Sequence, residues 1–311
     1  MRQFVFLVLS LLLFVNSNCM AQSVPRTPWW SLDLPEEPVR PRSDFLAPFG
    51  SLLLPSFDQF WEGQTTAGGL YLTYTLVGFS QMTAAFTTTE TETVFSSKDD
   101  RLRRAFLGAQ MIQTAGSLSA YHSFRSAVES RRHLGEYGFL QNREDSADLM
   151  KAPFRFEFLT RTSTYAVLGV ELLLLAIDFQ QFQGRTQFTS ADAGFTAGYS
   201  YQAGVGEEAL FRGWMMPYLT NIGWAPWASN LLTATSFSLA HVSEPNPRPW
   251  PQFLLGWYLG QVSLWNDWSI QESIFIHTWW DVLAIGASWA MVKDQKEKAI
   301  FLPLIDLPIS L

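Results

Sequence analysis

The stretch Gly204-Val205-Gly206-Glu207-Glu208-Ala209-Leu210-Phe211-Arg212-Gly213 places two adjacent carboxylates and a guanidinium inside a segment, 195–219, that is otherwise uncharged. Carboxylates in so apolar a helix are costly and rarely face lipid, so they imply a partner or a wet cavity. Glu208 and Arg212 stand at i,i+4 with the acid first, the better order for a helical ion pair. Glu207 projects about 100° away from that pair. One carboxylate is thus structural and the other available for chemistry, the alternative being a purely structural buried triad.

Working outward, nearly uncharged segments recur at 67–86, 105–120, 162–177, 195–219, 227–240, 251–265 and 273–292. Several are shorter than the roughly 20 residues that cross a bilayer, and none is a strong span by itself. Polar connectors separate them, and Trp224, Trp227, Trp250, Trp257, Trp265 and Trp268 crowd their ends as interfacial belts do. Scattered Gly, Ala, Ser and Thr suit tight helix contact in lipid. The expected fold is an all-α, polytopic membrane bundle of about seven helices, with a soluble bundle of buried helices as the alternative. Arg101, Arg103, Arg104 and the C-terminal Lys293, Lys296 and Lys298 fall on the inner side if the N-terminus is exported, a tilt rather than a decision.

Composition agrees with this class. Of 311 residues, 48% are hydrophobic and only 16% charged, against about 25% charged in ordinary soluble domains. With 13 Trp and 25 Phe the chain is no disordered polymer. A net charge of −7 with no long basic block argues against nucleic acid as a partner. The single cysteine, Cys19, excludes an intrachain disulfide and a cysteine zinc site.

At the N-terminus, Arg2 precedes the apolar run 4–15 (FVFLVLSLLLFV) and a polar stretch to Ala21. This is the shape of a secretory signal peptide cut after Ala21, with lipidation at Cys19 or an uncut anchor as alternatives. The expected organisation is a signal peptide (1–21), a Pro-rich exported leader without periodicity (22–66), leading membrane helices (67–190) and a catalytic core (191–295).

Two further elements follow the glutamate pair. Phe237-Ser238-Leu239-Ala240-His241 closes a helix that begins near Pro226, and His277-Thr278-Trp279-Trp280-Asp281 sets His277 and Asp281 on one helix face at i,i+4. Each alone reads as well as a cap or a packed interface. Two of the chain's four His, however, fall in apolar segments downstream of the Glu-Glu pair.

In this order, EExxxR (Glu207, Glu208, Arg212), FxxxH (Phe237, His241) and HxxxN/D (His277, Asp281) resemble the motifs of the CPBP family. That family of intramembrane proteases comprises CAAX prenyl endoproteases and bacteriocin-processing or self-immunity proteins. The likeness covers roughly 195–292, and residues 1–190 show none. It implies an all-α membrane fold whose motifs converge on a cavity near the cytoplasmic half of the bilayer, and peptide-bond hydrolysis without a covalent intermediate. On that reading Glu207, assisted by His241, accepts a proton from water. His277 donates to the oxyanion, and Glu208 with Arg212 fixes the helix. Asp281 stands where the family often has Asn; it either orients His277 or carries a proton.

A Glu with two His also equals the ligand count of a catalytic zinc site, so a zinc-dependent protease stays open, although the resemblance favours metal-free glutamate chemistry with no cofactor. A non-catalytic immunity or scaffold protein, and a transporter with a buried proton path, are the readings from other classes. Partners are membrane lipid and a peptide or membrane-protein substrate. Prenylated CAAX peptides suit an exported chain poorly, and signal-peptide remnants, lipoproteins and secreted peptides are equal candidates. Glu171 is expected to face the bundle, His122 and His133 to be interfacial, and Glu244 and Glu272 to lie at helix ends.

Overall fold

The computed structural model describes residues 41–87, 96–181, 185–186, 188–242 and 247–292. The signal-peptide stretch with Cys19, the first part of the Pro-rich leader, Glu244 and the C-terminal lysines lie outside the described residues.

All seven apolar segments fall on helices, to within a residue or two at their ends. In chain order the α-helices are α1 (Leu46–Leu53), α2 (Phe57–Trp61), α3 (Thr65–Thr87), α4 (Ser96–Arg131), α5 (Ser146–Lys151), α6 (Thr162–Gln181), α7 (Ser190–Glu208), α8 (Met216–Asn221), α9 (Pro226–Leu239), α10 (Trp250–Trp265) and α11 (Gln271–Ala290). Between α7 and α8 the chain runs through π-helical turns, Ala209–Met215. Among the described residues, extended structure is limited to β1 (Arg185–Thr186) paired antiparallel with β2 (Met291–Val292).

The termini of these helices follow local chemistry. Thr189 caps α7: its hydroxyl accepts from the Asp192 N–H while the Asp192 carboxylate accepts from the Thr189 N–H, a capping box. Asp192 also ion-pairs with Arg103, which ties the start of α7 to α4. Pro226 opens α9 at a position where its missing N–H costs nothing.

One expectation needs correction. Where no single strong span was foreseen, Thr162–Gln180 is long and apolar enough to cross a membrane by length and composition. It is the one such helix among the described residues, and why the others do not pass the same test is visible in them. Helix α3 has 23 residues and no charge but is rich in Thr, Gly and Tyr; α9 and α10 have 14 and 16 residues; α4, α7 and α11 carry charged side chains.

Apolar clusters fill the interior, but many polar side chains are buried with them and many large apolar ones are exposed. The interior face of α4 buries Gln110, Thr114, Ser117, Ser119 and Ser123 alongside Leu118, Phe124 and Val128. Other large apolar side chains point outward, among them Leu70, Leu76 and Phe79 on α3, Leu172 and Leu173 on α6, and Trp227 and Leu231 on α9. The stretch from Leu46 to Trp61, expected to be irregular, forms α1 and α2 and packs on α4. Ser123 donates to Asp58 (2.6 Å), and Gln59 exchanges two bonds with Ser119, while Leu54 and Trp61 are 64% and 80% exposed. Polar pins that are non-local in sequence leave no periodic apolar signal, so these helices were not legible.

Helices α4 and α11 flank α7, and α9 packs against α10. Small residues let the backbones approach. A Cβ on Gly260 of α10 would stand 1.8 Å from the Asn230 Oδ1, and Asn230 is fully buried, with its Nδ2 donating to the Trp257 carbonyl (3.0 Å). Gly260→Ala therefore forces the amide aside and breaks that bond, an overpacking cost of about 1–3 kcal/mol. Thermal melts in detergent should show a lowered midpoint for Gly260→Ala but not for Gly69→Ala, where a Cβ meets nothing within 4 Å.

Candidate active site

The site is assembled from α7, α9, α10 and α11, with α4 closing one side. Gly204 and Gly206 lead α7 into it. A Cβ on Gly204 would lie 2.2 Å from the Thr278 hydroxyl of α11, and one on Gly206 2.7 Å from the Thr114 hydroxyl of α4. Both neighbours thus press against α7 just before the glutamate pair. The widened π turns follow at once, ahead of Pro217, which has no N–H to give back to the preceding turn.

The two glutamates, fully buried, do different things. Glu208 Oε1 accepts from Arg212 Nη1 (2.7 Å) and from His277 Nδ1 (2.9 Å). Arg212 Nη2 donates onward to the Gly256 carbonyl (2.6 Å), and its guanidinium lies over the Phe237 ring, 4.7 Å from the centroid. A Cβ on Gly256 would sit 2.9 Å from both Arg212 Nη2 and the Phe237 ring, so only glycine leaves room for this clamp. Charge, two hydrogen bonds and an aromatic face hold the guanidinium without water, as a buried ion requires.

Glu207 points elsewhere. Its Oε2 faces His241 Nε2 at 3.9 Å and His277 Nε2 at 3.8 Å, and it has no hydrogen-bond partner. Its Oε1 accepts from Gln110 Nε2 of α4 at 3.5 Å. His241 lies just past the end of α9, where its Nδ1 donates to the Phe237 carbonyl (2.6 Å), one of the carbonyls a helix C-terminus leaves open. A carbonyl only accepts, so this bond fixes the hydrogen on Nδ1 and turns Nε2 to Glu207. Phe237 packs against both imidazoles, with centroids at 4.5 Å from His241 and 5.6 Å from His277.

The structure thus brings together Glu207, Glu208, Arg212, Phe237, His241 and His277. Asp281 Oδ2 is 3.7 Å from His277 Nε2, beyond hydrogen-bond reach, whereas Glu208 bonds Nδ1. His277 is thus hydrogen-bonded to Glu208 and not to Asp281. Asp281 is buried with that oxygen unpartnered, on the Nε2 side of the ring.

Other polar residues lie outside this group. Glu171 is buried on α6, as expected, and His133 is exposed. His122 is hydrogen-bonded to the Tyr71 hydroxyl (3.1 Å). Glu272, at the start of α11 as expected, is buried and accepts from Arg161, Ser163, Thr164 and Asn266, so it pins α11 to the start of α6. Gln110 and Gly256 belong to the site and carried no sequence signal, since neither stands in a charged or periodic pattern.

Among the described residues, no group of three His, Cys, Asp or Glu side chains is placed to hold a metal ion.

Residues 189–283 match the family model described as type II CAAX prenyl endopeptidase, Rce1-like. The likeness to that family is confined to this segment. It takes in all three motifs and 95 of the 311 residues, α7 to most of α11. No curated protein and no solved structure matches the chain. Helix α4, which supplies Gln110 to the site, lies outside the matched segment.

Proposed function

We propose that the protein is a multi-pass intramembrane endopeptidase in which Glu207 and the two imidazoles activate water for peptide-bond hydrolysis. One observation carries the reading: Glu207 Oε2, buried and unpartnered, faces the Nε2 atoms of both His241 and His277 at 3.8–3.9 Å. That spacing accommodates one water in contact with the carboxylate and an imidazole, as general-base hydrolysis requires.

The steps follow from these groups. Glu207 takes a proton from water as its oxygen attacks the scissile carbonyl carbon, with His241 holding the water on the opposite side. His277 carries hydrogen on both nitrogens, its Nδ1–H given to Glu208, and its Nε2–H donates to the developing oxyanion. Glu207 then returns the proton to the leaving nitrogen as the C–N bond breaks. Glu208 and Arg212 act by holding His277 and the helix. The membrane setting is supported by the family match, the Thr162–Gln180 helix and the outward-facing apolar side chains of α3, α6 and α9. Export of the N-terminal region remains part of the proposal and rests on residues 1–21 of the sequence.

The test uses the full chain in proteoliposomes with a proteome-derived peptide library, cleavage being read by mass spectrometry. Wild-type protein should cut a subset of peptides at an unchanged rate after 1,10-phenanthroline or EDTA. Cleavage lost to chelator and restored by zinc would overturn the glutamate mechanism.

A further inference from the structure

We propose that Gln110 of α4 is a positioning residue for Glu207, supplied by the part of the chain outside the CAAX-protease segment. The inference rests on the peptidase reading above and adds a residue that none of its three motifs contains. Gln110 is fully buried, and its Nε2 donates to Glu207 Oε1 at 3.5 Å while its Oε1 has no partner. A primary amide taken out of water costs free energy unless it is hydrogen-bonded, so a core position would favour Leu or Met of the same size. Contact with the glutamate is what offsets that cost here.

The helix is held firmly enough for the contact to matter. One turn on, Thr114 donates to the Gln202 carbonyl of α7 (2.9 Å), and Thr114 is the residue a Cβ on Gly206 would strike. Gln110 and Thr114 thus share the α4 face that meets α7, and the amide meets Glu207 Oε1 while the imidazoles face Oε2. With Oε1 engaged, the carboxylate cannot rotate freely, and Oε2 stays aimed between His241 and His277. At 3.5 Å the contact is longer than the usual range of about 2.7–3.2 Å, and catalytic hydrogen bonds are often long without substrate and tighten in the reacting complex.

The experiment compares Gln110→Met, Gln110→Leu and Ser117→Ala with wild type. Ser117 is a buried hydroxyl of α4 whose oxygen lacks a partner, so no hydrogen bond joins it to Glu207. The probe is the library peptide that wild type cuts fastest, and Glu207→Gln runs beside it. For Gln110→Met and Gln110→Leu the expected result is a kcat lowered about tenfold, the usual loss for a hydrogen bond to a charged group, with KM and the melting midpoint unchanged. Ser117→Ala should keep the wild-type kcat. Wild-type kcat in both Gln110 variants, with Glu207→Gln inactive, overturns this inference alone. So does a fall in kcat that tracks a fall in melting midpoint and is shared by Ser117→Ala, because that marks a packing role. Activity retained by Glu207→Gln overturns the peptidase reading and this inference with it.

Discussion

Glu208→Gln protein should express poorly or melt early, and it should cleave no peptide. The carboxylate holds two partners at once, Arg212 Nη1 at 2.7 Å and His277 Nδ1 at 2.9 Å, and all three side chains are buried. Without the negative charge the guanidinium is left uncompensated where water cannot reach it. Breaking a buried pair from one side costs about 3–5 kcal/mol. The double variant Glu208→Gln with Arg212→Met strands no charge and should regain a large part of that loss, because the two residues are in contact and their effects cannot add. Activity should not return with stability, since His277 still lacks the carboxylate that orients it. Detergent melts of the single and double variants check the first part, and peptide cleavage checks the second. Equal melting midpoints for wild type and Glu208→Gln would show that the pair is not what holds this helix.

Much of this site was legible in the sequence because its groups sit where apolar helices make charge conspicuous. Glu207, Glu208 and Arg212 stand out in 195–219, and the i,i+4 spacing of Glu208 and Arg212 fixed their pairing within one helix. His241 and His277 were marked by apolar surroundings and by motif order. What failed to show was tertiary. The bond from Glu208 to His277 joins residues 69 apart in the chain, so local spacing favoured Asp281, one turn from His277, as its orienter. Gln110 and Gly256 reach the site from helices with no motif, and a lone buried amide or glycine leaves no trace in a pattern. Helix α4 extends from Ser96 to Arg131, well past the apolar run at 105–120, because its charged ends find partners such as Asp192 and Glu136 that only the fold supplies.

The largest effect on activity is expected at Glu207. Its carboxylate has no ion pair within its own helix, and its nearest groups are the two imidazoles and the Gln110 amide. Glutamine is nearly isosteric, keeps an oxygen for the Gln110 donor and strands no guanidinium, so the fold should be spared. It cannot take a proton from water, and loss of a positioned general base costs about 10²–10⁴ in rate. The decisive measurement is the cleavage rate of Glu207→Gln on the peptide that wild type cuts fastest, with its melting midpoint taken on the same preparation. The account predicts a midpoint close to wild type and a rate lower by at least about a hundredfold. Full cleavage by a folded Glu207→Gln protein would contradict it.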